Sequence, residues 1–128
     1  MKISSFEDLL VWRKSRDLVK LIYELTDGFP GSEKFNLVGQ VKRCVTSIPA
    51  NIAEGFSRFH LKESVQFYRN ARGSLSELKS HLYVAFDQRY ISKTDFDLCI
   101  EKVNEIGKML NGLINSTVRF RNRLSSKS

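Results

Sequence analysis

The sequence predicts an all-α protein, an up-down-up-down antiparallel four-helix bundle, and two observations support this prediction. Apolar residues recur at steps of three and four along four long segments, which is the period of one face of an α-helix. Connections of only a few residues join these segments, and such short loops place consecutive helices side by side in antiparallel order. A chain of 128 residues with 41% hydrophobic residues has the size and composition of one globular domain.

The first helix is predicted from about Phe6 to Thr26. Ser5 is the expected N-cap, with Asp8 three residues on at the capping-box position. Trp12 is predicted to be a core residue rather than a platform for base stacking. The helix carries two apolar stripes, Leu9, Trp12, Val19, Ile22 and Tyr23 beside Val11, Leu18, Leu21 and Leu25.

The second helix is predicted from about Glu33 to Arg58, with Ser32 as N-cap and Pro49 in its interior. Proline has no N–H to donate to the carbonyl four residues back, here Val45, and its ring crowds that carbonyl at a cost of about 3 kcal/mol. The apolar period nevertheless holds on both sides of the proline. We therefore expect one helix that continues through Pro49 with a bend. The apolar face consists of Leu37, Val41, Cys44, Ile48 and Ile52.

A polar line lies opposite this apolar face, and its members are Ser47, Asn51, Glu54 and Arg58. Glu54 and Arg58 are spaced for an i,i+4 ion pair. Ser47 or Asn51 is placed to hydrogen-bond the backbone that Pro49 leaves free. We favour these structural roles over a ligand site, and we expect Gly55 to permit close helix packing near the end of the helix.

The third helix is predicted from about Leu61 to Arg89, and the fourth after Ser92, with Asp95 as a second capping-box candidate. The third has an apolar arc wider than one core contact requires. The fourth repeats Phe96, Cys99, Val103, Ile106, Leu110 and Leu113 as a heptad seam. The bundle is assigned to residues 1–118, and the basic segment 119–128 is expected to be a flexible tail. Because the extra apolar stripes exceed what one core can bury, we expect a homo-oligomer.

Positive charge is concentrated in two places, although the whole chain carries only +7. On the third helix, four cations fall within an arc of about 100° beside the apolar arc, while Glu63 and Glu77 lie on the opposite flank. These cations are Lys62, Arg69, Arg72 and Lys79, and the tail adds Arg119, Arg121 and Arg123. A basic line along a helix edge is suited to nucleic-acid phosphates. The alternative is a solvated flank, or charges that pair with a neighbouring helix.

The sequence contains no catalytic constellation, so we expect no enzymatic activity and no cofactor. Glu77 and His81 are four residues apart without a second matching pair, and the metal-binding bundles that use Glu-x-x-His need two such pairs. Cys44 and Cys99 are expected to be buried reduced thiols, the alternatives being a disulfide or a metal pair. No secretory leader or membrane span is apparent, so a cytoplasmic protein is expected.

The chain resembles a bacterial family of four-helix proteins, the 23S rRNA intervening-sequence proteins, also called S23 ribosomal proteins. The resemblance spans about residues 6–118. Four stretches of sequence carry it. They are residues 6–9 with Val11 and Trp12, the proline motif from Ser47 to Gly55 with Phe56, residues 71–78, and residues 106–114. It implies a four-helix bundle that assembles into a ring, typically a pentamer, without established enzymatic activity.

Two functions follow as hypotheses. Members of the resembled family are encoded in intervening sequences of 23S rRNA genes and at other bacterial loci. The accessory proteins of diversity-generating retroelements look like relatives, and these are basic rings implicated in binding nucleic acid and a reverse transcriptase. We therefore expect an oligomeric accessory protein that binds the backbone of RNA or DNA. The alternative is a homo-oligomeric scaffold that binds a partner protein and no nucleic acid.

Overall fold

The computed structural model describes residues 3–126, which form four α-helices and no β-strand. The helices are α1 (Leu10–Thr26), α2 (Leu37–Phe56), α3 (Leu61–Asp87) and α4 (Lys93–Ser126). Helix α2 packs against α1 and α3, and α4 packs against α3 and α1, whereas the backbones of α1 and α3 do not approach each other closely. The prediction of four helices without strands is confirmed for the described residues.

The core lies between the four helices and takes apolar residues from each of them. Its largest fully buried members are Leu18, Ile22, Ile48, Ile52, Leu78, Leu82, Ile106 and Leu110. Cys44 and Cys99 are buried free thiols, as predicted. Trp12 packs, half-buried, against this core and meets the ring of Phe6 edge-on. A smaller cluster of Val65, Tyr68 and Ile114 closes one end.

The N-terminal cap forms at the predicted residues but belongs to a separate turn. A 3-10 turn spans Phe6–Asp8, and Ser5 and Asp8 make the reciprocal capping box there. Backbone N–H groups of Ser4 and Ser5 donate to the Asp8 carboxylate and thereby lower its pKa. Leu9 has extended backbone, so α1 begins only at Leu10.

The predicted start of the second helix is wrong by four residues. Gly31–Glu33 form a 3-10 turn, and Asn36 has non-helical dihedral angles, so α2 begins at Leu37 and Ser32 is not its N-cap. A tertiary contact accounts for the difference. The Tyr90 hydroxyl, which follows α3, donates to the Glu33 carboxylate at 3.0 Å, and the rings of Tyr90 and Phe29 lie 5.4 Å apart.

Pro49 lies inside one uninterrupted helix, as the apolar period predicts. The polar neighbours act differently from the prediction. Ser47 Oγ donates to the carbonyl of Cys44 at 3.0 Å, and Asn51 Nδ2 donates to the carbonyl of Ser47 at 2.8 Å. Neither side chain bonds the Val45 carbonyl. Their hydrogen bonds reinforce the helix on either side of the proline.

Gly55 allows α2 to approach α3 closely, which agrees with the role expected from the sequence. A Cβ atom at this position would lie 2.6 Å from Cε1 of Tyr68 and 3.0 Å from the carbonyl oxygen of Ser64. The first distance is far inside van der Waals contact. Because Tyr68 is itself buried, its ring has little room to move away.

The end of α3 carries a Schellman motif, with Arg89 in the left-handed conformation at φ 63°. The N–H of Tyr90 donates to the carbonyl of Ala85, and the N–H of Arg89 donates to the carbonyl of Phe86, both at 2.9 Å. Arg89 is the one described non-glycine residue with positive φ. The motif turns the chain towards α4, whose start is capped by Ser92 Oγ accepting from the Asp95 N–H at 3.1 Å.

Helix α4 extends beyond the predicted bundle. The apolar residues of the predicted seam are buried from Phe96 to Leu110. After Leu110 the buried residue is Ile114, and the predicted Leu113 is only half-buried. The helix continues through residues 119–126, where the sequence analysis predicts a frayed tail, so these residues are helical in the structure. The mobility of the segment stays a prediction, and residues 127–128 lie outside the described range.

Replacing Gly55 with alanine should destabilise the fold by about 1–3 kcal/mol, because the new methyl group overlaps the Tyr68 ring and the Ser64 carbonyl. Chemical denaturation of the variant measures the loss. Gly73→Ala is the matched control, since a Cβ at Gly73 meets no atom within 4 Å. It should stabilise α3 by up to about 1 kcal/mol. Equal effects at the two glycines would contradict the close-packing argument.

Replacing Arg89 with glycine should stabilise the protein by about 1 kcal/mol. Glycine adopts positive φ without the clash that a Cβ atom makes with the backbone. The Arg89 side chain is exposed, so its removal sacrifices no buried contact. The free energy of unfolding measures the gain, and Arg89→Ala, which keeps the Cβ atom, should not reproduce it.

Candidate nucleic-acid interface

The four predicted cations of α3 all lie along the edge of the helix that faces α4. Lys62, Arg69 and Arg72 are exposed and Lys79 is half-buried. Between Arg72 and Lys79 the two helices enclose a groove of about 440 Å³. Its remaining lining residues are Leu75, Ser76, Val103, Asn104, Gly107, Lys108 and Asn111.

Two hydrogen bonds across the groove hold its cations in place. Arg72 Nη1 donates to Oδ1 of Asn111 at 3.0 Å, and Lys79 Nζ donates to Oδ1 of Asn104 at 2.9 Å. Both acceptors are neutral amides, so neither cation loses its charge to a carboxylate. No acidic side chain lines this groove among the described residues. The groove therefore presents oriented, uncompensated positive charge.

A second cavity of about 300 Å³ continues the same edge of α3 towards its N-terminus. Lys62, Arg69 and Arg121 line it, together with Val65 and Gln66. Glu63 lines it as well, so its predicted place on the opposite flank of α3 is wrong, and this part of the surface carries one negative charge. The distance from Lys62 to Lys79 along the axis of α3 is about 25 Å, because an α-helix rises 1.5 Å per residue. The two cavities lie along the same edge of α3, and we call them together the α3–α4 groove. Six cations line them: Lys62, Arg69, Arg72, Lys79, Lys108 and Arg121.

The tail arginines that the sequence analysis grouped together do not share one face. Arg121 lines the α3–α4 groove. Arg119 and Arg123 are exposed and, at i,i+4, project from the opposite side of α4. Arg123 lies over the ring of Phe120, 5.9 Å from its centroid.

The contribution of α4 to the groove was not predicted from the sequence. Asn104, Lys108 and Asn111 follow one another at steps of four and three, directly beside the apolar seam. This spacing is the available sequence signal, because it places all three on the flank of a packed helix. Which neighbouring helix they face depends on tertiary packing.

The polar line of α2 has structural contacts. Arg58 Nη2 pairs with the Glu54 carboxylate at 2.9 Å, as predicted, and its guanidinium lies 4.7 Å from the ring centroid of Phe67. Both partners are largely exposed, so the pair contributes little stability. The hydroxyl groups of Ser47 and Ser74 hydrogen-bond each other and join α2 to α3.

A cluster on the other side of α3 was not foreseen from the sequence. Cys44 of α2 lies beside Glu77 and His81 of α3, with one ligand atom of each residue within 4.8 Å of the others. Burial, and then the neighbouring Glu77 carboxylate, raise the pKa of the Cys44 thiol to about 11. The i,i+4 spacing of Glu77 and His81 was visible in the sequence, but the approach of Cys44 was not.

The fold and the groove define an all-α protein of four helices with a basic inter-helical surface. Within residues 3–126, no helix is both long and apolar enough to span a membrane. The family model for the 23S rRNA-intervening sequence protein matches residues 7–112. The chain therefore belongs to this family, as the resemblance of its motifs predicted.

One solved structure shares this architecture over most of both chains. It is a protein of unknown function from the S23 ribosomal protein family of Bacteroides thetaiotaomicron VPI-5482, determined at 1.70 Å. The TM-score is 0.77 at 24% sequence identity, with 82% of the present chain and 98% of the other chain covered. At this identity the likeness concerns the fold. No curated protein matches the chain.

Proposed function

We propose that this protein is a non-enzymatic accessory protein that binds the phosphate backbone of RNA or DNA through the α3–α4 groove. The observation that carries the proposal is the convergence of six cations from two helices on one surface. Each cation that contacts a phosphate releases condensed counterions, which favours binding at low salt. Membership of the 23S rRNA-intervening sequence family is compatible with such a partner.

The dimensions of the groove suit a nucleic-acid strand. The distance of about 25 Å from Lys62 to Lys79 is several times the axial rise of 3.4 Å between phosphates of one strand in duplex DNA, so the groove is long enough for several phosphate contacts. No aromatic side chain lines either cavity among the described residues. With cations and amides but no stacking surface, the groove favours backbone contacts over base readout.

The cross-groove hydrogen bonds strengthen this proposal because they orient the cations before binding. Arg72 and Lys79 are held by Asn111 and Asn104, so less side-chain entropy is lost when a phosphate arrives. A neutral amide also leaves the full charge available. Of the two alternatives considered for these residues, a solvated flank would not require such partners. Charges that pair with a neighbouring helix describe Arg72 and Lys79 too, but here the partners are neutral amides and leave the charge uncompensated.

We further propose that the chain assembles into a homo-oligomeric ring from subunits with up-down-up-down helices, and that the ring is a pentamer, as the family resemblance implies. The contacts of Arg72 with Asn111 and of Lys79 with Asn104 run in opposite directions along α3 and α4, which fits antiparallel neighbours. Large apolar side chains left exposed on the single chain support burial against further copies. They include Leu10, Tyr23, Tyr83, Val84, Leu98, Phe120 and Leu124.

A second candidate function is that of a protein-interaction scaffold, and two aromatic side chains favour it. Phe35 is 92% exposed and Phe59 is 98% exposed, each in a connection that flanks α2. Exposed aromatic rings are frequent anchors of protein interfaces. In this alternative the basic groove is a solvated surface, and a partner protein occupies the aromatic positions.

Changing Lys62, Arg69, Arg72 and Lys79 together to glutamine should weaken binding to RNA and DNA while preserving helicity and assembly. The plot of log K against log salt should lose up to about 0.9 of slope per phosphate contact removed on duplex DNA, and about 0.7 on single strands. Fluorescence anisotropy across a salt series measures both quantities. Truncation after Val118 tests the tail, and it also removes Arg121 from the groove.

The control removes the same charge elsewhere, by changing Arg13, Arg16, Lys20 and Lys93 to glutamine, all exposed and outside the groove. This variant should retain most of the salt slope. Equal losses in the two variants would assign binding to net charge alone. Wild-type protein without salt-dependent binding to either nucleic acid at about 50 mM salt would refute the proposal and leave the scaffold in its place.

Light scattering at micromolar concentration should give a mass several times that of the 14.8 kDa chain, with fivefold expected for a pentameric ring. The exposed apolar side chains motivate this result, because a monomer would leave them in water. A monomer would contradict oligomerisation altogether. A dimer or tetramer would keep the interface and exclude the pentamer.

A further inference from the structure

The cluster formed by Cys44, Glu77 and His81 lies between α2 and α3, on the side of α3 away from the basic groove. Cys44 is 5% exposed. Glu77 and His81 are one helical turn apart, so their side chains lie on the same face of α3. The Glu77 side chain is 64% exposed and the His81 side chain 18% exposed. The three ligand atoms, a thiol sulfur, a carboxylate oxygen and an imidazole nitrogen, all lie within 4.8 Å of one another.

The imidazole of His81 is the feature that the packing of the bundle does not explain. Its Nε2 atom is buried and is the one buried side-chain nitrogen or oxygen in residues 3–126 without a hydrogen-bond partner. The nearest carboxylate oxygen, Oε1 of Glu77, is 3.8 Å away, which is too far for a hydrogen bond. An unpartnered buried polar atom costs about 1–3 kcal/mol, so a missing partner is indicated.

We propose that Cys44, Glu77 and His81 form a binding site for one Zn²⁺ ion per chain. Sulfur, imidazole nitrogen and carboxylate oxygen are the three protein donors that Zn²⁺ takes, whereas Mg²⁺ and Ca²⁺ require sets of oxygen donors. Tetrahedral bonds of about 2.0–2.3 Å place donor atoms roughly 3.5 Å apart. The present separations therefore need to contract by about 1 Å, which side-chain rotation provides.

A cavity of about 200 Å³ borders Cys44 and Glu77 and would leave room for a fourth ligand. Gln40, Arg43 and Ser47 complete its lining. This volume accommodates several water molecules, and a zinc site with three protein ligands keeps a water in the fourth position. The cation of Arg43 favours an anionic group there, such as hydroxide or a carboxylate.

The site differs from the bundle metal centres considered in the sequence analysis. Those centres use matched Glu-x-x-His pairs on two helices, and their absence led to the expectation of no metal. Here a thiol from α2 replaces the second pair. The ion would cross-link α2 to α3 about one helical turn from the Ser47–Ser74 hydrogen bond, independently of any nucleic acid in the α3–α4 groove.

Titration of the tag-free, chelator-treated full-length protein with Co²⁺, a spectroscopic substitute for Zn²⁺, tests the proposal. One Co²⁺ per chain should bind, with the visible absorption of a tetrahedral site and a near-ultraviolet thiolate-to-cobalt charge-transfer band. Added Zn²⁺ should abolish both signals by displacement. Absence of the charge-transfer band in the wild-type protein would overturn the proposal.

Three variants assign the signal to the cluster. Cys44→Ala should eliminate the charge-transfer band, and His81→Gln should weaken affinity by about 100-fold, the share of one ligand in a zinc site. Cys99→Ala is the matched control, because Cys99 is an equally buried thiol outside the cluster and should leave the band intact.

A band that survives Cys44→Ala, or that disappears in Cys99→Ala, would refute the site. Circular dichroism verifies folding of each variant. If Cys44→Ala does not fold, His81→Gln still tests the site. The His81 side chain is partly exposed and its Nε2 atom makes no hydrogen bond, so the replacement removes a metal ligand without breaking a hydrogen bond at Nε2. Unchanged affinity in folded His81→Gln would likewise refute the site.

Discussion

The close packing of α2 against α3 is the contact on which the other features of the molecule depend. Gly55 permits it at one end, where a single methyl group would meet the Tyr68 ring, and the Ser47–Ser74 hydrogen bond fastens the middle. This packing fixes the rotation of α3 about its axis. One flank of α3 then faces α2 with Glu77 and His81, and the other faces α4 with its cations.

The two flanks of α3 differ in electrostatic character for a simple geometric reason. Residues spaced at the helical period lie on the same side of a helix. Because α3 packs against α2 on one side and α4 on the other, residues at different helical positions line different surfaces. On the α4 side, the partners of Arg72 and Lys79 are asparagines, which orient the cations without neutralising them. On the α2 side, a thiol, a carboxylate and an imidazole converge in a partly enclosed space. A phosphate backbone suits the first surface, and a thiophilic divalent cation suits the second.

The connections between helices show how tertiary contacts adjust what local sequence favours. The start of α2 was predicted at Glu33 from a good capping residue, yet the helix begins at Leu37. The hydrogen bond from Tyr90 to Glu33 and the contact between the Tyr90 and Phe29 rings hold this segment outside the helix. A cap contributes about 1 kcal/mol, which long-range contacts of this kind can outweigh.

The sequence by itself determined the four helices, the continuation of α2 through Pro49, the burial of both cysteines and the basic edge of α3. Each of these follows from periodicity, because apolar spacing at 3.6 residues specifies both the helix and the face that it buries. Only the tertiary structure decided which residues meet across helices: Asn104 and Asn111 with the cations of α3, Arg121 with Lys62 and Arg69, and Cys44 with Glu77 and His81. These pairs are separated by tens of residues, and their meeting depends on the rotation and relative shift of packed helices. Side-chain volumes at the seams set those two quantities, and the period of one helix carries no information about them.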